Sequence, residues 1–203
     1  MNNNNLAENF EKLLNTTQGE REVTKFIDEN IDLLYWAICP ESGHNKFILK
    51  EFGFGKKFRT DFVIINSYSG TWNIHFIEFE PVNSNIFTKS GVPEKRLAGA
   101  IKQIHDWKEY CTRFEGEVRR DIVSDIKTKD LLKYDEDTDN PSNGTDEYLS
   151  CTETNLNIKY HIFIGRSTKL NKEQLRLKGR FYSNHNIELI TYDRILKVIQ
   201  NRQ

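Results

Sequence analysis

Two glutamates, Glu78 and Glu80, interrupt an otherwise apolar run in HFIEFEPV, residues 75 to 82. Side chains in a strand alternate faces with period two, so both carboxylates project to the face that carries Ile74 and Phe76. Like charges this close repel, and an ionised carboxylate among apolar groups is costly unless a cation or a hydrogen-bond donor neutralises it. A third acid, Asp61 in RTDFVII, shares a face with Val63 and Ile65 of another apolar run. If the two runs are hairpin neighbours, Asp61 stands beside Glu78 or Glu80, and hard oxygen ligands from adjacent strands are what Mg²⁺ or Mn²⁺ requires. Such an ion neutralises the carboxylates, holds a phosphate oxygen and lowers the pKa of a bound water, the services that phosphodiester hydrolysis needs. The plainer alternative is edge-exposed charge, but solvated edges seldom lie within such apolar runs.

Three strand-like runs carry these acids: HNKFILKEF, FRTDFVIIN and TWNIHFIEFE. The linkers GFGKK and NSYSGT have the glycine, serine and asparagine of turns, which predicts an antiparallel meander. Upstream, Leu6, Phe10, Leu13 and Leu14 recur at helical spacing after a frayed asparagine run at residues 2 to 5. One helix is predicted over GEREVTKFIDENIDLLYW, with Val23, Phe26, Ile27, Ile31 and Leu34 as its apolar stripe. Downstream, VPEKRLAGAIKQIHDWKEYCTRFEGEVRRDI reads as one long helix with Leu97, Ala100, Ile101, Ile104 and Trp107 on one face. Residues 133 to 153 are acidic and poor in aliphatics, and predict an exposed insertion. The strand IKYHIFIG, a helical stretch from Asn171 to about Tyr182, the strand IELIT and the amphipathic DRILKVIQ complete an α/β or α+β domain with a mixed sheet.

The chain has 203 residues, a net charge of −1 and 29% charged residues, so no global positive field announces a polyanion partner. Three cysteines without C-x-x-C spacing fit neither a disulfide framework nor a zinc ribbon and point to a reducing cytoplasm. No apolar run suits a membrane span or a signal peptide. GFG at 53 to 55 is no phosphate loop, and the five histidines lack zinc-ligand spacing. Basic residues do gather locally, as Lys56, Lys57 and Arg59 before the acidic strand and as Lys89, Lys95, Arg96 and Lys102 after it. Each group alone reads as a solvated face, but bracketing a metal site they suit a phosphate backbone on both sides. Arg166, at the end of IFIGR, reads as a contact to a phosphate backbone or a partner for an acid, and equally as a strand-end charge in solvent.

The order helix, strand, TDF, strand, I-E-x-E-P, then a helix with A-I-K-Q-I-H-D-W resembles the Shedu antiphage-defence family, a branch of the PD-(D/E)XK nuclease superfamily. KFIDENIDLL, IFIGR and ELITYDRIL resemble the same nuclease domain, so the likeness spans roughly residues 18 to 200, and the domain is expected over 18 to 203 after an N-terminal segment at 1 to 17. The resemblance implies a restriction-endonuclease-like core, a Mg²⁺- or Mn²⁺-dependent DNA endonuclease with no organic cofactor, and a homo-oligomer. It implies Asp61 as the first metal-binding acid, Glu78 as the second, and Glu80 at the third position of the E-x-K triplet. Lysine is commoner there and would stabilise the attacking water, whereas glutamate binds metal or acts as general base. Gln103, four residues before Trp107, resembles the Q-x-x-x-Y element whose glutamine points to the metal; a surface glutamine beside a core tryptophan is the plainer reading. Glu20 or Glu22 resembles a further acid of the site, and each reads equally as an exposed first-turn residue. The alternative function is a nuclease-fold module that binds nucleic acid or a protein without cleaving.

Overall fold

A computed structural model describes residues 3–17, 19–40, 44–68, 70–129, 131 and 149–202. The helices are α1 (Asn3–Thr16), α2 (Arg21–Glu29), α3 (Ile31–Ile38), α4 (Lys95–Arg113), α5 (Glu115–Thr128), α6 (Lys172–His185) and α7 (Asp193–Asn201). The strands are β1 (His44–Phe54), β2 (Phe58–Tyr68), β3 (Thr71–Phe79), β4 (Asn155–Phe163) and β5 (Glu188–Ile190), ordered β1-β2-β3-β4-β5. The pairs β1/β2 and β2/β3 are antiparallel and β4/β5 is parallel, which is the mixed sheet the sequence predicts. Of the acidic stretch, residues 133–148 lie outside the described residues, and Leu149 beyond them is buried.

Two helices expected to be continuous are broken. Asn30, at φ −133° and ψ 48°, ends α2 and opens α3. Its side-chain amide donates to the Phe26 carbonyl at 2.9 Å, the local bonding by which asparagine competes with a helical backbone. Phe114, at φ −129° and ψ 40°, separates α4 from α5. Arg113 in the last turn of α4 and Glu115 and Glu117 in the first turn of α5 suit the opposing dipole ends that meet there. The asparagine run also differs from expectation, because α1 begins at Asn3.

Contacts divide the chain into two compact units. The first comprises Met1–Ser42, Glu78–Lys102 and Tyr160–Gln203. In it α1 packs on α2 and α7, α3 packs on α2 and α7, and α6 packs on β5. Phe10 of α1 stacks on Phe26 at 4.6 Å, and Val23, Ile27 and Leu34 are fully buried, so the stripe read from the sequence is the packed face. An Asn171/Gln174 capping box starts α6, and Asn186 in the left-handed region ends it.

The second unit comprises Gly43–Ile77 and Gln103–Lys159. Phe62, Val63, Ile64 and Ile65 are all fully buried, so β2 is covered on both faces. Rings of Phe54, Phe76 and Trp107 lie 5.1 to 6.1 Å apart and form the aromatic centre, while α5 packs on β1. Arg119 of α5 is buried, and its guanidinium donates to the carbonyls of Leu149, Cys151 and Thr154 at 3.1, 2.9 and 2.8 Å. Among the described residues no helix is long and apolar enough to cross a membrane.

Candidate functional site

Glu78 and Glu80 flank buried Phe79 at the end of β3, and both are half-buried. Phe79 sets them by packing its ring edge-on against Phe163 at 5.2 Å and Tyr192 at 5.8 Å, an apolar anchor worth about 1.5–3 kcal/mol. The backbone of Glu80 is held twice: its N–H donates to the Phe163 carbonyl at 2.8 Å, and its carbonyl accepts from the Tyr192 hydroxyl at 2.8 Å. Gly165 lies close by, with its N–H donating to the Pro81 carbonyl at 3.4 Å and its carbonyl accepting from the Tyr192 N–H at 3.2 Å. At φ +62° a Cβ on Gly165 would meet the Ser84 carbonyl oxygen at 2.7 Å, so only glycine lets the two segments approach this closely.

Within this frame Oε2 of Glu78 and Oε2 of Glu80 are buried and accept no hydrogen bond, although both residues make other interactions. Carboxylate oxygens are hard donors of the kind that Mg²⁺ or Mn²⁺ takes. Among the described residues no group of three or more His, Cys, Asp or Glu gathers to hold a metal ion. Mg²⁺ nevertheless binds through one or two carboxylates together with substrate phosphates and water, so a pair of glutamates fits it.

The other predicted residues of the first unit lie at the surface. Lys89, Lys95, Arg96 and Lys102 are exposed, with Lys89 on a turn closed by the Thr88 N–H to Val92 carbonyl bond of 2.8 Å. Glu20 and Glu22 are exposed beside α2. Glu22 accepts from the Thr17 hydroxyl at 2.7 Å, and that bond lowers its pKa. Arg166 is the acid partner, not the solvent charge: it is buried, bonding Asp193 Oδ1 and Asn15 Oδ1 at 2.9 Å each. Burial works to raise the Asp193 pKa, but the Ser167 N–H and Arg166 override it and hold it low.

In the second unit Asp61 is half-buried on β2. The β2/β3 register runs from Tyr68 opposite Thr71 to Phe62 opposite Ile77, and Asp61 and Glu78 are the next residues along the two strands. Buried Thr60 fixes this end, its hydroxyl donating to the Ile77 carbonyl at 2.7 Å. Gln103 is half-buried one turn before fully packed Trp107. Lys56, Lys57 and Arg59 are exposed at the β1/β2 turn; Lys57 lies 4.6 Å over the Phe58 ring and Arg59 pairs with Glu51.

The family described as Shedu protein SduA, C-terminal, matches residues 17–196. The chain belongs to this family. The match makes it a member of an antiphage-defence family, and the matched Shedu segment contains Asp61, Glu78, Glu80 and Gln103. No curated protein matches the chain. The Shedu match starts just after α1 and ends within α7, so it includes Tyr192 and Gly165. Neither was singled out in the sequence. The signal for Gly165 is a glycine two residues past the buried end of β4, and Tyr192 has none beyond its place in ELITYDRIL. Chemically, this Shedu chain presents carboxylate oxygens at and just beyond the end of β3, the type of donor that divalent cations prefer.

Proposed function

We propose that this Shedu chain is a metal-dependent DNA endonuclease of the PD-(D/E)XK type that hydrolyses phosphodiester bonds in antiphage defence. The observation that carries the reading is the Glu78/Glu80 pair, drawn to half-burial on either side of buried Phe79 within the matched segment. In this reading Glu78 and Glu80 would hold Mg²⁺ or Mn²⁺, and Asp61 is the third acid that the family resemblance implies. The bound ion supplies charge neutralisation at the phosphate and a water of lowered pKa. Glu80 accepts the proton of the attacking water, and Gln103 orients the site from α4. Lys56, Lys57, Arg59, Lys89, Lys95, Arg96 and Lys102 contact phosphates without reading sequence. The protein works as a cytoplasmic homo-oligomer.

Purified protein is to be incubated with single-stranded, linear and supercoiled DNA in Mg²⁺, in Mn²⁺ and in chelator. Cleavage that needs metal and disappears in Asp61→Ala and Glu78→Ala supports the reading. No cleavage of any of these substrates in either metal sinks it. A second reading is favoured by Glu80 standing where lysine is commoner: a nuclease-fold module that binds DNA or a protein and does not cut. Binding without cleavage in the same assay selects it.

A further inference from the structure

A cavity of about 240 Å³ in the second unit is lined by three aromatic rings and four charges. Phe58, Tyr110 and Phe114 form its apolar wall, with Tyr110 5.3 Å from Phe58 and 5.0 Å from Phe114. These rings are not core: Phe58 and Tyr110 are half-buried and Phe114 is 40% exposed. The wall is built rigidly. The Tyr110 hydroxyl donates to Glu117 at 2.6 Å, and that bond, more than burial, pushes its pKa up to about 12, so it stays protonated and oriented. The ring rests on bare backbone, because a Cβ on Gly55 would lie 2.5 Å from it. Gly55 is in turn fixed at φ +58° and donates its N–H to Asp121 at 3.0 Å.

The charges select among ligands. Lys57 lies over Phe58, and the Arg113 guanidinium lies 5.9 Å from the Phe114 centroid; Asp106 and Glu109 line the same cavity. A bare phosphate would meet the two carboxylates, and a simple cation would meet Lys57 and Arg113. An apolar ligand would leave all four charges desolvated and unpaired. A nucleotide answers each feature at once, its base stacking on the rings, its N–H groups donating to Asp106 or Glu109, and its phosphate meeting Arg113 or Lys57. The volume is below the ~300–1,000 Å³ of drug-sized pockets, which suits one nucleotide and not a large cofactor.

We infer that this aromatic cavity is a subsite for one unpaired nucleotide of a DNA strand. The inference rests on the reading of DNA as the substrate. An unpaired base is required because ring faces become available for stacking only when a base leaves the duplex stack.

The test uses the full chain in chelator, with a fluorescein-labelled mixed-sequence single-stranded 20-mer and the matching blunt duplex, read by anisotropy. Losing one stacked base costs about 1–3 kcal/mol, so Phe114→Ala should weaken single-strand binding by about 5- to 150-fold. Arg113→Ala, at an exposed position, should weaken it in the same direction, and both should change duplex binding less. Tyr68→Ala removes a 62%-exposed aromatic elsewhere in the unit and should match wild type. The subsite is overturned if wild type does not bind the single strand, if Phe114→Ala and Arg113→Ala bind it as wild type does, or if Tyr68→Ala loses as much. Metal-dependent cleavage together with variant-insensitive binding removes the subsite and keeps the nuclease. Variant-sensitive binding with no cleavage in any metal does the reverse.

Discussion

The Tyr192 hydroxyl donates a hydrogen bond to the Glu80 carbonyl at 2.8 Å, tying the residue before α7 to the residue after β3. Tyr192→Phe keeps the ring against Phe79 and Phe163 but leaves that carbonyl without its donor. The expected loss is about 1 kcal/mol in urea unfolding. Under the proposed nuclease function, cleavage measured where both proteins are fully folded should also fall severalfold, because the bond holds the backbone that carries the Glu80 carboxylate.

Glu188 predicts an acid-sensitive fold. Burial pushes its pKa up, but hydrogen bonds from His161 at 3.0 Å and Arg194 at 2.6 Å, with their charges, bring it down to about 2 from an ordinary 4.5. A folded pKa below the unfolded one gives stability that is fully present above about pH 4.5 and is lost as pH falls toward 2. Glu188→Gln should lower stability at pH 6 and flatten its decline between pH 4.5 and 2, measured by urea unfolding at each pH.

Arg119 has 1% of its surface exposed, and three backbone carbonyls depend on its planar fork. Arg119→Leu fills the space and removes the donors, at a cost of about 3 kcal/mol in chemical denaturation. Arg119→Lys should recover only part of this, since an ammonium cannot span the same acceptors.

Gly165→Ala places a Cβ 2.7 Å from the Ser84 carbonyl oxygen at a φ of +62°. The left-handed backbone alone costs about 1–2 kcal/mol, and the contact adds to it. A lower Tm than wild type is the expected result, whereas Gly179→Ala, at an exposed position of α6, should not lower it; nothing lies within 4 Å of a Cβ at Gly179.

The strand hairpins are legible in the sequence because their turns contain glycine and polar residues and their interiors are rich in apolar residues. The helix breaks at Asn30 and Phe114 are less so, because the apolar spacing continues across them; only Asn30 itself and the R-F-E-G-E charge order mark the boundaries. For the site, the half-burial of Glu78 and Glu80 follows from strand alternation around Phe79. The frame that holds Glu80 is not legible, because Tyr192 reaches it from 112 residues away. Arg166 shows the same limit. Both of its partners, Asn15 and Asp193, are distant in sequence, so only the fold decides between an ion pair and a solvent charge.

The grip of Arg119 on the carbonyls of Leu149, Cys151 and Thr154 has a consequence for where β4 begins. The clamp fixes the approach to β4 from α5 itself, independently of how many residues join Thr128 to Leu149. The start of β4 is therefore set by a side chain of α5 and not by the length of the connection before it.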